Sequence, residues 1–165
     1  MIAAIVAVDN NWGIGFNGNL LEHIPEDLKY FKQLTTDKVV VMGRKTWDSL
    51  PKKPLPNRTN IVITKDYKKI SDQGVMFYPL QGIKNFMQLQ KNYLDFFVIG
   101  GGQIYKELLP FCDRVYITKI YKEHENVDTY FSNLDNDTAW ASRPIGHLQD
   151  HKDFSYQFWE YVRIS

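Results

Sequence analysis

Cysteine is almost absent from this chain of 165 residues, and so is any excess of charge of one sign. The single cysteine, Cys112, excludes an internal disulfide framework and suits a reducing compartment, so the cytoplasm is the expected location. Its apolar setting, "LLPFCDRV", reads as a buried, inert thiol rather than a nucleophile. The 20 lysines and arginines stand against 19 aspartates and glutamates, a formal net charge of +1. No overall field is left for nucleic acid or an anionic membrane, so any anion site is local and the expected partners are small molecules. Long hydrophobic runs are missing as well. The opening "MIAAIVAV" meets "DNNWG" at once, too short for a membrane span and without the basic start of a signal peptide, and it reads as a buried first strand.

There are no repeats, low-complexity tracts or interdomain linkers. A content of 44% hydrophobic and 24% charged residues fits one globular domain spanning residues 1–165, expected to be a monomer. His23 and His124 stand alone. His147 and His151 have helical ligand spacing but fall in a stretch that reads as strand and turn, so all four read as surface histidines and no metal site is expected.

Short β-branched runs alternate with helical stretches. "IAAIVAV", "KVVVM", "TNIVIT", "VMFY", "DFFVIG" and "RVYITKIY" are separated by "PEDLKYFKQL", "RKTWDSL", "IKNFMQLQ" and "GQIYKELL". This pattern predicts an α/β fold with a central, mostly parallel mixed sheet flanked by helices. After Tyr121 no helix separates "WASRPIGHLQ" from "FSYQFWEYVRI", which predicts a closing C-terminal antiparallel hairpin. "PKKPLPNR" reads as a rigid loop leading into a strand.

One helix contains an anomaly. Starting "PEDLKYFKQL" at Pro25 and advancing about 100° per residue puts Leu28, Phe31 and Leu34 on one face with Tyr30 on its flank. Asp27 falls inside the same apolar arc. An acid there is either a dipole-favoured residue of the first helical turn or a chemical tool.

Three strand ends suggest an anion. In "VIGGGQIYKELL" a buried strand runs through Gly100, Gly101 and Gly102 into a helix, and glycines there let backbone N–H groups approach phosphate. A dinucleotide fingerprint would need a further glycine where Tyr105 stands, so a standard Rossmann turn is not supported. In "VVVMGRKTWDSL" Arg44 and Lys45 open a helix after Gly43, where cations are unfavourable unless an anion binds. Thr64 and Lys65 end a third strand, and ligands of open α/β sheets bind beyond such ends. Two glycine turns with a basic cluster suit a dinucleotide carrying an extra phosphate, although each cation alone could equally be a solvated surface charge.

Taken together, "GIGFNGNL", "IPEDLKYFK", "VVMGRKTWDSL", "PLPNR", "VIGGGQIY", "YITKI" and "DTYF", in this order and spacing, resemble dihydrofolate reductase of the bacterial chromosomal type from end to end. The resemblance implies NADPH-dependent reduction of 7,8-dihydrofolate to 5,6,7,8-tetrahydrofolate, with hydride added at pterin C6 and a proton at N5. It places the chain in tetrahydrofolate biosynthesis and one-carbon metabolism, as an antifolate target. It implies that Asp27 is catalytic, facing the pterin and accepting its 2-amino group and N3–H. It further implies that Leu28, Phe31, Leu50 and Leu55 line the groove for the aminobenzoyl ring and that Arg58 grips the α-carboxylate of the glutamate tail. Ile5, Ala7 and Ile99 would border the pterin, and Thr118 would share a hydrogen-bond network with Asp27. For NADPH, Ala7, Ile14, Gly15 and Leu20 would meet the nicotinamide. Gly43, Arg44, Lys45, Thr46, Thr64 and Lys65 would take the adenosine end, and Gly100, Gly101, Gly102, Gln103, Ile104 and Tyr105 the diphosphate and its surroundings, with Thr129 added.

The chain departs from the family where Leu20 is followed by Leu21 and Glu22 instead of proline and tryptophan. A donor indole is thereby lost, and Glu22 is expected to turn outward as a solvated loop charge. Val127 stands before "DTYF" where the family commonly has glycine. Two other readings remain beside this one: a riboflavin-pathway pyrimidine reductase, against which the acid-bearing helix and "PLPNR" speak, and a non-catalytic nucleotide-binding module.

Overall fold

The computed structural model describes residues 1–66 and 74–165, and its elements follow the periodicities of the chain. In order they are β1 (Ile2–Val8), β2 (Gly13–Phe16), β3 (Asn19–Leu20), α1 (Pro25–Thr35), β4 (Val39–Gly43), α2 (Arg44–Ser49), β5 (Thr59–Ile63) and β6 (Val75–Tyr78). Then come α3 (Leu80–Gln90), β7 (Phe96–Gly100), α4 (Gly102–Leu108), β8 (Arg114–Tyr121), β9 (Thr129–Tyr130), β10 (Trp140–Pro144), β11 (Gln149–His151) and β12 (Phe154–Arg163).

Among the described residues the main sheet runs β10-β12-β8-β1-β7-β4-β5-β6, with β11 beside β12. Every pair from β8 across to β6 is parallel. β12 pairs antiparallel with β8, β10 and β11, so the closing hairpin turns an otherwise parallel sheet into a mixed one. β1 lies in the middle, which is why its sequence is apolar almost throughout.

Alternation along the strands separates two cores. Ile2, Ala4, Val6 and Val8 face α3 and α4, meeting Ile83, Met87, Tyr105 and Leu108. Ala3 and Ile5 face the other way, with Val40, Met42, Val62 and Phe97, and are covered by Phe31 and Leu34 of α1 and Trp47 of α2. The sheet is thus one α/β layer system with helices on both faces. Among the described residues no helix is long and apolar enough to cross a membrane.

One segment differs from its sequence reading. "GIGFNGNL" has few β-branched residues and reads as loop, yet β2 and β3 form a hairpin extended by β9 into a small sheet of its own. Asn17 and Gly18 occupy its turn with φ of 51° and 77°. Asn-Gly with both residues left-handed is the two-residue turn that fits the twist of a hairpin, and that dipeptide was the available signal.

Candidate active site

β7, β4 and β5 are adjacent, and their register sets Met42 beside Gly100 and Gly43 beside Ile63. The residues that follow therefore share one edge: Gly101 to Tyr105, Arg44 to Thr46, and Thr64 with Lys65. Arg44, Lys45 and Lys65 are exposed. Arg44 Nε lies 3.2 Å from Asp48 Oδ1 one turn along α2, an exposed pair of small energetic weight. Thr64 N donates to Tyr78 O at 3.0 Å, and its hydroxyl accepts from Asp66 N at 3.2 Å.

The glycines here are set by close approach. A Cβ on Gly43 would lie 2.8 Å from Ile104 Cγ1, and one on Gly102 would lie 2.5 Å from Thr129 Cγ2. Gly100 has φ +129°, a conformation side chains resist. A Cβ on Gly101 would face Thr46 Oγ1 at 3.4 Å, so the turn forms a bare-backbone cradle beside a hydroxyl. Gln103 Nε2 donates to Glu107 Oε1 at 3.2 Å. Tyr105 points inward, donating from Oη to Ile5 O at 2.7 Å, and ties α4 to β1.

Asp27 stands on α1, which with α2 covers the Ala3 and Ile5 face of the sheet. Its helix starts after Ile24, whose backbone is extended and whose side chain makes no cap, and the Asp27 carboxylate does not cap it either. Instead Asp27 Oδ1 accepts from Thr118 Oγ1 at 2.6 Å. Thr118 is paired with Ala7 in the β1–β8 register, so the carboxylate sits beside the middle of β8 near the end of β1. Burial pushes Asp27 above the usual carboxylate range, and the Thr118 hydroxyl opposes this with a smaller effect. One turn on, Tyr30 stacks on Phe158 at 4.1 Å. Its buried hydroxyl has no hydrogen-bond partner among the described residues, and burial raises its pKa.

Ile5, Phe31, Leu50, Leu55 and Ile99 share one apolar cluster beside Asp27's helix. Leu28 stands apart from it, 45% exposed, and Ala7 packs with Ile24, Ile120, Phe154 and Tyr156. Arg58 lies over the Phe31 ring at 5.8 Å and donates to Pro56 O at 2.8 Å and Thr35 Oγ1 at 3.1 Å. A residue not singled out from sequence organises this loop. Buried Asn60 exchanges two 2.9 Å hydrogen bonds with the Leu55 backbone and also donates to Arg58 O. The polar intrusion in "TNIVIT" was its signal.

The small sheet carries Ile14, Gly15, Leu20 and Thr129. Ile14 is buried, whereas Leu20 is 71% exposed. Asp128 links the strands, its N–H donating to Gly15 O at 3.0 Å and its carboxylate accepting from Asn17 N at 3.0 Å. Val127 packs where a Cβ on Gly13 would lie 2.8 Å from its Cγ1, so the bulk at 127 is matched by its absence at 13.

Glu22 corrects its sequence reading. It is neither solvated nor aimed at Asp27. Its Oε1 lies 3.3 Å from Lys122 Nζ and 3.7 Å from His124 Nε2, with the Glu22 side chain only 18% exposed. His124 is not a surface histidine: its Nδ1 lies 3.1 Å from Asp9 Oδ2. The basic partners sit 100 residues away in sequence, which hid the pairing.

The structure thus holds a partly buried acid with a hydroxyl partner, an apolar cluster beside its helix and a basic edge at three strand ends. Comparison with known proteins gives the chain a family. A family model described as "Dihydrofolate reductase" matches residues 1–163. The chain is 37% identical over 165 residues to the dihydrofolate reductase of Bacillus subtilis, covering 99% of this chain and 95% of that protein. It is 37% identical over 130 residues to that of Haemophilus influenzae, covering 79% and 78%. A solved structure of the Enterococcus faecalis dihydrofolate reductase, complexed with NADP(H) and RAB-propyl, superposes with a TM-score of 0.82 at 32% identity over 100% of this chain and 97% of that one.

Proposed function

The chain belongs to the dihydrofolate reductase family, and we infer from that membership how its own residues carry out NADPH-dependent reduction of dihydrofolate. The observation that carries the reading is Asp27, a half-buried carboxylate held by Thr118 and idle as a helix cap. Asp27 accepts the 2-amino group and N3–H of the pterin as a bidentate pair. Its fixed charge, in a setting poor in water, favours the protonated and more electrophilic ring. Thr118 orients the carboxylate so that its second oxygen stays available. The proton for N5 comes from water, because Glu22 is ion-paired with Lys122.

The residues present fit NADPH. Gly43 and Gly102 leave no room for a Cβ against Ile104 and Thr129, and Gly100, Gly101 and Gly102 present bare backbone at the strand end to a diphosphate. Arg44, Lys45 and Lys65 supply cations for a ribose phosphate, with Thr46 and Thr64 beside them. Gln103, Ile104 and Tyr105 shape the turn around the diphosphate. Ala7, Ile14, Gly15 and Leu20 border the nicotinamide, and Thr129, packed against Gly102, adds to the cofactor contacts. When bound, NADPH supplies the hydride delivered to pterin C6.

Ile5, Ala7 and Ile99 flank the pterin; Leu28, Phe31, Leu50 and Leu55 line the path of the aminobenzoyl ring. Arg58, already set over Phe31, takes the α-carboxylate of the glutamate tail. The chain acts as a monomer in the cytoplasm without a nucleic-acid partner, a reading supported by its single buried thiol and balanced charge. The family match and the relatives do not favour the riboflavin-pathway enzyme or the binding module. Oxidation of NADPH that depends on added dihydrofolate tests the reading. Affinity for NADPH without turnover would return the binding module, and indifference to folate the rival reductase.

A further inference from the structure

Five charged or titratable side chains cluster away from the pterin groove, at the base of the 9–24 segment that bears β2 and β3. Asp9, which is 3% exposed, begins that segment. Its Oδ1 accepts from Asn11 N at 3.0 Å and Gly13 N at 2.8 Å, and its Oδ2 accepts from His124 N at 3.3 Å. With three N–H donors already on this carboxylate, the 3.1 Å contact between His124 Nδ1 and Asp9 Oδ2 makes Nδ1 the donor. The neutral ring then presents the bare lone pair of Nε2 to Glu22. Nε2 is indeed buried without a hydrogen-bond partner, 3.7 Å from Glu22 Oε1. Glu22 lies at the far end of the same segment. The remaining charges facing this site are Lys122 on His124's own segment, 3.3 Å from Glu22, and Asp153 in the β11–β12 turn, 3.4 Å from Lys122 and neighboured by Lys152.

We propose that His124 is a positioning residue: a second proton on its ring, at Nε2, bridges Asp9 to Glu22, latches both ends of the 9–24 segment together and slows release of NADPH as the pH falls. One proton converts a lone pair facing a carboxylate into a donor facing an acceptor. Imidazole is the side chain whose charge ordinarily changes near neutral pH. Lys122 keeps Glu22 nearby whatever the state of the ring, so only a small movement of the carboxylate completes the bridge. The effect on NADPH rests on the reading of Ile14, Gly15 and Leu20 as residues that border the nicotinamide; the latch itself does not.

Two readouts separate these parts. In the protein without NADPH, hydrogen exchange of the 10–21 amides, corrected for the intrinsic pH dependence of exchange, is compared at about pH 6 and about pH 8. Wild type is expected to be more protected at the lower pH by about two- to fivefold, the size of one partly exposed ion pair, and His124→Gln and Glu22→Gln to lose that difference. The rate at which NADPH leaves the complex, followed by displacement, is expected to rise with pH in wild type and to be flat in both variants. Glu22→Gln carries the test in the case in which His124→Gln fails to fold. Exchange independent of pH in wild type, or a pH dependence that survives in His124→Gln or in Glu22→Gln, would overturn the latch. A latch seen by exchange in a protein that does not bind NADPH would stand, and would overturn the functional reading instead.

Discussion

Thr118 Oγ1 donates to Asp27 Oδ1 at 2.6 Å across 91 positions of sequence, joining the first turn of α1 to the middle of β8. The bond resolves a conflict in the helix. An acid in an apolar arc costs solvation, and burial raises its pKa; the hydroxyl offsets part of that cost and fixes which oxygen remains free.

Asp27→Asn is expected to lower turnover at neutral pH by roughly two to three orders of magnitude, because the anion goes while the shape remains. Its effect on stability has the opposite sign. Since burial raises the pKa of Asp27 in the folded protein, the native state holds this proton more tightly than the unfolded chain does. Stability therefore falls as pH rises from the ordinary carboxylate value of about 3.9 through the raised one. The variant should melt at or above the wild-type temperature at neutral pH, with that advantage vanishing in acid. Melting curves across pH check this, and a variant equally active to wild type would remove Asp27 from the chemistry.

Thr118→Val keeps the shape and removes the donor. A hydrogen bond to a charged group is worth about 1.5–3 kcal/mol, and without it the pKa of Asp27 moves further up. The acid limb of the pH–rate profile should accordingly shift to higher pH, with a smaller change at alkaline pH where Asp27 is ionised in either protein. An unshifted profile would mean that the Thr118 hydrogen bond does not govern the protonation of Asp27.

How much of this was legible in the sequence varied with range. The period of about 100° per residue placed Asp27 on the inner face of α1, and β1, β6 and β8 coincide residue for residue with their apolar runs. Thr118 was different. As one polar residue in a strand it carried no sign of its partner, and only the family resemblance joined it to Asp27. β3 and β9 were missed because two residues are too few to show a period, and β2 because its two glycines break up the apolar run that marked the equally short β6. Asp9, Glu22 and His124 converge only through packing between distant segments, which no local pattern records.

Arg44 is expected to distinguish NADPH from NADH. Its ion pair with Asp48 is exposed on both sides, so Arg44→Ala should cost little stability. Losing a charge-assisted contact to phosphate, at about 1.5–3 kcal/mol, should raise the Michaelis constant for NADPH by roughly tenfold or more. The constant for NADH should change less. Equal weakening toward both cofactors would move Arg44 onto the shared diphosphate.

Cys112 should resist alkylation in the folded protein. It is 1% exposed, its Sγ lies 3.4 Å from Leu108 O, and burial pushes its thiol up to about 12. Very little thiolate exists near pH 8 under those conditions, so labelling with a thiol reagent should track unfolding and accelerate sharply in denaturant. Rapid labelling in native buffer would show that the short helical turn Leu109–Phe111 opens on its own.

Gly43 is the position at which fold and cofactor site are hardest to separate. A Cβ there would meet Ile104 Cγ1 at 2.8 Å, with Gly100 O at 3.8 Å behind it, so Gly43→Ala must push α4 away from β4. Overpacking of this kind costs about 1–3 kcal/mol. Because α4 follows directly from the glycine cradle, NADPH affinity should fall together with stability. Ile104→Ala alone destabilises through lost packing, but combined with Gly43→Ala it makes room for the new methyl group. The double variant should therefore be more stable than the sum of the two losses predicts, by an interaction of about 0.5 kcal/mol or more in denaturant titration. Strict additivity would mean that the new methyl group and Ile104 do not compete for the same space.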